Sequence, residues 1–230
     1  MNNAILKLAV LDMAGTTIDV ADEVPKALQE AFAHSRLDVP VEAISEMRGR
    51  SKREAIQDLV SRLTAGDPGN TGLSDQIFDA FRRRLHERYL TGVRPIAGAA
   101  DTLRWLQAHN IAVILTTGFD RELANLLIEK SDWGKDLLSG LVCADDVSRG
   151  RPEPDMILRA MDILSLGNPA AVAVVGDTTA DLEAGNRAGA GYVIGVLSGA
   201  HSREELGKHP HTVLLDSIAD LPSWLEKRGS

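Results

Sequence analysis

Three short apolar runs each end in a polar group, and that pattern limits the fold more than any other feature of this sequence. Ile5-Leu6-Lys7-Leu8-Ala9-Val10-Leu11 runs into Asp12. Ile111-Ala112-Val113-Ile114-Leu115 runs into Thr116-Thr117-Gly118, and Ala171-Val172-Ala173-Val174-Val175 runs into Gly176-Asp177. Short, continuously apolar runs read as strands buried on both faces. Residues 141–143 and 192–196 are further strand candidates. Helical patterns separate the strands, over about 99–109, 121–130, 155–164 and 179–188. This alternation predicts an α/β fold with a parallel sheet covered on both faces. Open parallel sheets bind ligands at the carboxyl ends of their strands. Asp12, Thr117 and Asp177 are therefore expected to converge on one crevice, beside turns whose free N–H groups favour anions. Helix capping alone is the plainer role for any one of them.

Residues 20–90 follow another pattern. Ala27, Leu28, Ala31 and Phe32 share one side of a helix over 25–34. Ile77, Phe78, Phe81, Leu85 and Tyr89 do so over 74–90. Residues 66–72 break the chain between two helices. Residues 92–98, with Pro95, read as a return linker. The expected organisation is a core of 1–18 and 93–230, with a helical module over 19–92 inserted into it.

Charge and cysteine content exclude several classes. The 230 residues carry 25 Lys plus Arg against 33 Asp plus Glu, a formal net charge of −8. Nucleic acid and anionic membrane reward basic surfaces, so neither is expected as a partner. Cys143 is the only cysteine. An intramolecular disulfide and a Cys-based metal site are both excluded. No apolar run is long enough to span a membrane, and the N-terminal residues do not follow a signal-peptide pattern. The expected location is the cytoplasm. Arg82-Arg83-Arg84 and Arg88 read as a solvated helix face, because apolar residues interleave at helical spacing.

Asp12-Met13-Ala14-Gly15-Thr16-Thr17, Thr117-Gly118 and Gly176-Asp177-Thr178-Thr179-Ala180-Asp181 resemble, in order, three motifs of the haloacid dehalogenase superfamily. The resemblance covers essentially the whole chain. It implies a Rossmann-like parallel-sheet core with an inserted α-helical cap domain. It implies that Asp12 is a nucleophile that forms an aspartyl-phosphate. Mg2+ is the implied cofactor, held by Asp12, the Ala14 carbonyl and Asp177, with Asp181 supporting the shell. Thr117 and the Gly118 N–H would hold phosphoryl oxygens, with Thr16 also at the substrate. Arg151 stands where the superfamily places a lysine.

One departure narrows the resemblance. Most phosphatases of the superfamily carry a second Asp two residues after the nucleophile, where this chain has Ala14. Asp-x-Ala-Gly-Thr-Thr, Gly150-Arg151-Pro152 and 183–189 are similar to the phosphonoacetaldehyde hydrolase, or phosphonatase, branch. There a cap lysine forms a Schiff base with the substrate aldehyde, and the carbon leaving group needs no oxygen acid. The matching residues are Gly49 and Lys52. A small phosphonate or phosphate metabolite is the implied substrate, and a homodimer the implied assembly. The chain departs from that branch at Arg48, Ala55 and Phe119, where the branch has Met, His and Tyr. Arg48 and Arg50 would suit a second anionic group on the substrate. A phosphomonoester phosphatase and a non-catalytic phosphometabolite-binding protein are the rival readings.

Overall fold

The computed structural model describes residues 5–20, 22–64, 71–134 and 136–228. Six parallel strands form the main sheet: β1 (Leu8–Asp12), β4 (Ala112–Thr117), β5 (Gly140–Cys143), β6 (Val172–Gly176), β7 (Tyr192–Val196) and β8 (Val213–Leu215). Their order is β5-β4-β1-β6-β7-β8. β1 lies at the centre, in register with β4 from Leu8 opposite Ala112 to Asp12 opposite Thr116. Its other edge pairs with β6.

Strand periodicity divides the packing. Ala9 and Leu11 face a core shared with α5 (Ala99–Ala108) and α6 (Arg121–Lys130). Leu8 and Val10 face a second core built on α7 (Asp155–Ile163) and α8 (Thr179–Arg187). Alternate side chains on a strand point to opposite faces, so an uninterrupted apolar run satisfies both layers at once. Two short helices, α9 (Arg203–Gly207) and α10 (Leu221–Glu226), complete the chain.

Between β1 and β4 lie α1 (Glu23–His34), α2 (Val41–Ser45), α3 (Lys52–Leu63) and α4 (Thr71–Leu90). Ala27, Leu28, Ala31 and Phe32 of α1 pack with Ile56, Leu59 and Val60 of α3 and Ile77, Phe81 and Leu85 of α4. Arg88 ties α4 to α1 through Glu23 at 3.0 Å and Glu30 at 2.7 Å. Arg82 reaches from α4 to Asp120 and Glu122 at 2.8 and 2.6 Å. Arg82, Arg84 and Arg88 of α4 are thus partners of carboxylates rather than merely solvated.

The stretch over 92–98 differs from a plain linker. Arg94–Pro95 forms β3, paired antiparallel with β2 (Ile18–Asp19). The two ends of the helical segment are therefore joined by a small ribbon beside β1. The chain break expected over 66–72 falls mainly on 65–70, outside the described residues.

Candidate active site

The sheet's strand order reverses at β1, and a crevice opens there beyond the strand ends. Asp12 ends β1, Thr117 ends β4, and Asp177 follows β6. A cavity of about 290 Å³ is lined by all three, together with Ala14, Arg48, Gly49, Lys52, Gly118 and Arg151. Of the residues singled out from the sequence, only Thr16 and Asp181 are not on its wall. Both stand directly behind it.

The carboxylates are held by short local structures. Thr17 Oγ1 donates to the Asp12 carbonyl at 3.0 Å, tightening the turn after β1. Gly15 has φ +90, and a Cβ there would overlap the Asp177 carboxylate. Thr16 Oγ1 donates to Asp177 Oδ1 at 3.2 Å, so its hydroxyl positions this carboxylate. The Ala200 N–H donates to Asp177 Oδ2 at 2.6 Å. Thr178 caps α8, and Asp181 Oδ2 accepts from both the Thr178 N–H and its hydroxyl. This reciprocal capping fixes Asp181 one turn above Asp177.

Oxygen atoms of Asp12, Asp177 and Asp181 lie within 4.8 Å of one another, and all three residues are buried. Arg151 Nη1 stands 2.7 Å from Asp12 Oδ1 and also meets Asp181 Oδ1. Burial pushes the Asp12 pKa well above the ordinary range. Arg151 works against the rise, while Asp181 and Asp177 add to it. Burial and then Asp181 raise Asp177 to about 6. Burial opposes the Arg151 charge, but Asp12 and Asp181 more than offset it and keep the guanidinium protonated. One guanidinium cannot balance three carboxylates. The excess negative charge and the all-oxygen donor set fit a hard divalent cation.

The helical segment supplies the opposite wall. Ser51 caps α3, and Lys52 is the helix's first residue. The Lys52 side chain is buried, and Nζ donates to the carbonyls of Met47 at 3.1 Å and Arg50 at 3.0 Å. Burial and the nearby Arg151 lower its pKa to about 8, although Asp12 and Asp177 pull the other way. The Lys52 N–H donates to the Gly118 carbonyl at 3.2 Å. Gly49, at φ +70, packs against Thr178. Arg48 Nη1 donates to the Ala200 carbonyl at 2.9 Å. Arg50 also lines the cavity, and its guanidinium pairs with Asp58 of α3.

Three supports were not read from the sequence. Glu54 Oε1 accepts the Gly150 N–H at 3.2 Å, which ties α3 to the Arg151 loop. Ser51 and Glu54 have capping-box spacing, but the carboxylate serves that distant loop instead. The 198–200 loop surrounds Asp177, and a Cβ at Gly199 would overlap it. Asp120 both caps α6, accepting from the Leu123 N–H at 3.1 Å, and receives Arg82. Its place directly after Thr117-Gly118-Phe119 was the available signal.

A family model of haloacid dehalogenase-like hydrolases matches residues 6–189. The chain belongs to that family. This hydrolase resembles the phosphonoacetaldehyde hydrolases within it. It is 26% identical to the phosphonoacetaldehyde hydrolase of Hahella chejuensis, over 96% of this chain and 86% of that one. Against the enzyme of that name from Bordetella pertussis the identity is 27%, over 96% and 91%. The crystal structure of a phosphonoacetaldehyde hydrolase-like protein from Oleispira antarctica matches with a TM-score of 0.80 at 26% identity, covering 96% of this chain and 92% of that one. A hydrolase from Pseudomonas syringae matches in fold, with a TM-score of 0.85 at 23% identity, over 96% and 98%. Among the described residues no helix of the hydrolase is long and apolar enough to cross a membrane.

Proposed function

We propose that this hydrolase cleaves the C–P bond of phosphonoacetaldehyde, giving acetaldehyde and phosphate. The observation that carries the reading is the buried Lys52 amine, lowered to about 8, in the same crevice as Asp12. Residues 19–92 then act as a cap over a core of 1–18 and 93–230. Asp12, the Ala14 carbonyl and Asp177 would hold Mg2+, with Asp181 behind them. When bound, Mg2+ supplies positive charge to the phosphoryl oxygens.

The chain's own groups account for each bond. Lys52 Nζ adds to the aldehyde carbon and water leaves, giving an iminium. An Asp12 carboxylate oxygen bonds to phosphorus as the C–P bond breaks. The bonding pair passes to carbon and into the iminium, giving an enamine. The enamine takes a proton at carbon, and water hydrolyses the resulting imine to acetaldehyde and free Lys52. A second water attacks the aspartyl-phosphate, releasing phosphate and Asp12. The net reaction consumes one water. Carbon departs as a stabilised carbanion equivalent, so the methyl of Ala14 is no handicap. Thr117 and the Gly118 N–H would hold the phosphoryl group, and Arg151 would keep Asp12 ionised for attack.

A phosphomonoester phosphatase is the second reading. It is favoured by the two carbonyls that accept from Lys52 Nζ, because they suit an ammonium. One experiment separates the two. Wild-type protein with Mg2+ and phosphonoacetaldehyde should release phosphate, and borohydride added during turnover should trap the substrate carbon on Lys52. Lys52→Arg should abolish both. Phosphate release from a phosphomonoester that survives Lys52→Ala, with no trapping, would establish the phosphatase instead.

A further inference from the structure

We propose that the crevice also takes phosphonates that carry a carboxylate, and that Arg48 binds that carboxylate. This goes beyond the function proposed above, because phosphonoacetaldehyde has no carboxylate, and rests on the crevice at Asp12 being the phosphoryl site.

Arg48 is half-buried and lines the cavity. Among the described residues it donates to one neutral acceptor, the Ala200 carbonyl at 2.9 Å, and forms no ion pair. The other basic groups at the crevice are engaged. Arg151 holds Asp12 and Asp181, Arg50 holds Asp58, and the Lys52 amine serves two carbonyls. A guanidinium offers five N–H donors in a planar fork. Half-buried and bonded to one neutral acceptor, the guanidinium keeps donors for a further partner. A carboxylate fits the fork in a bidentate way and supplies the missing charge.

The position suits a group at the carbon end of the substrate. Arg48 follows Met47, whose carbonyl accepts Lys52 Nζ. Ala200 takes Arg48 on its carbonyl and gives its N–H to Asp177. The guanidinium thus stands beside the loop that holds the amine, next to a residue that supports the acidic cluster. Asp19 and Asp22 also line the crevice, but Asp19 faces Arg94 at 3.6 Å and Asp22 is exposed. The cavity has room. At roughly 30 Å³ for a water-sized group, about 290 Å³ exceeds what a two-carbon phosphonate fills.

The test is calorimetric titration of the Mg2+-loaded protein with 3-phosphonopropionate and with propylphosphonate. The two ligands differ mainly by the carboxylate. Wild type should bind 3-phosphonopropionate about tenfold more tightly or better. Arg48→Met should remove that preference, and Arg48→Lys should retain part of it. The ratio of affinities is the readout, and Arg48→Gln serves as a second neutral variant should the Met variant fold poorly. Equal binding by wild type would overturn the proposal, as would a preference that persists in Arg48→Met. Neither ligand has an aldehyde or ketone, so the ratio is independent of Lys52 imine chemistry. Failure of phosphonoacetaldehyde turnover would leave this result standing, and the reverse also holds.

Discussion

The Arg151 guanidinium and the Asp12 carboxylate stand 2.7 Å apart, and both are buried. The same nitrogen meets Asp181, so a single cation is shared by two carboxylates. Arg151→Met would leave the buried Asp12 and Asp181 carboxylates without their paired cation. Without Mg2+ it should lose about 3–5 kcal/mol of stability, the scale for breaking a buried pair. Urea denaturation with and without Mg2+ checks this, and a much smaller loss with Mg2+ is expected. A Mg2+-free loss below about 1 kcal/mol would contradict the assigned role.

Asp12→Asn keeps the size of the side chain and removes its nucleophilic oxygen charge. Turnover should fall at least about 10³-fold. Arg151 still has Asp181, so folding should survive. Phosphate release together with circular dichroism measures both. Retained activity from a folded variant would sink the nucleophile assignment.

Lys52 gives a pH signature. At an ordinary 10.5, about one amine in 3,000 is neutral at pH 7; at about 8, roughly one in ten is. Imine formation requires the neutral form. The rate of borohydride trapping should therefore rise about tenfold per pH unit below 8 and level off above it. A plateau that begins only near pH 10 would show an ordinary surface amine.

Asp177 gives a stability signature of opposite origin. Burial raises its carboxyl to about 6 in the fold, from an ordinary 3.8. The folded state then holds its proton more tightly than the unfolded chain. Its contribution favours folding below about pH 4 and is lost as pH rises through about 6. In Mg2+-free buffer this group should therefore weaken the protein across that window. Mg2+ binds the ionised form and should reverse the loss. The rise in Tm on adding Mg2+ should be larger at pH 7.5 than at pH 5. Equal shifts at both values would contradict a buried carboxylate at the metal position.

Gly118 predicts a purely geometric effect. A Cβ there would overlap the Arg50 carbonyl oxygen. Gly118→Ala should push the 48–52 loop away from the strand end and misplace Lys52. A shift of about 1 Å can cost on the order of 10²-fold in rate. kcat/KM measured beside Tm would show a large kinetic loss with little thermal change.

Much of the core was legible because one periodicity served two layers. The apolar runs at β1, β4 and β6 announced strands within two residues or, at the start of β1, three, and their polar ends marked the crevice. α6 was read at its observed bounds, Arg121–Lys130. β8 was missed, because Val213–Leu215 is a short edge strand without a long apolar run. β2 and β3 were missed for a related reason: two-residue strands carry no period, and Pro95 reads as a breaker. At the site, Asp12, Asp177 and Lys52 stood out by motif and spacing. The ties of Glu54 to Gly150, Ala200 to Asp177 and Arg82 to Asp120 did not. They join residues 23 to 96 positions apart, and no local pattern encodes which distant backbone a side chain will meet.

The loop before α3 meets the sheet through three glycines. Gly49 abuts Thr178, Gly118 abuts the Arg50 carbonyl, and Gly150 abuts Ser51. At each meeting at least one partner presents no side chain. The alignment of Lys52 over Asp12 is therefore fixed by close approaches of backbone, while the Arg48 side chain reaches the crevice from the same loop. Descendants of such a chain can exchange that projecting group, and with it the compounds recognised, without retuning the reactive pair.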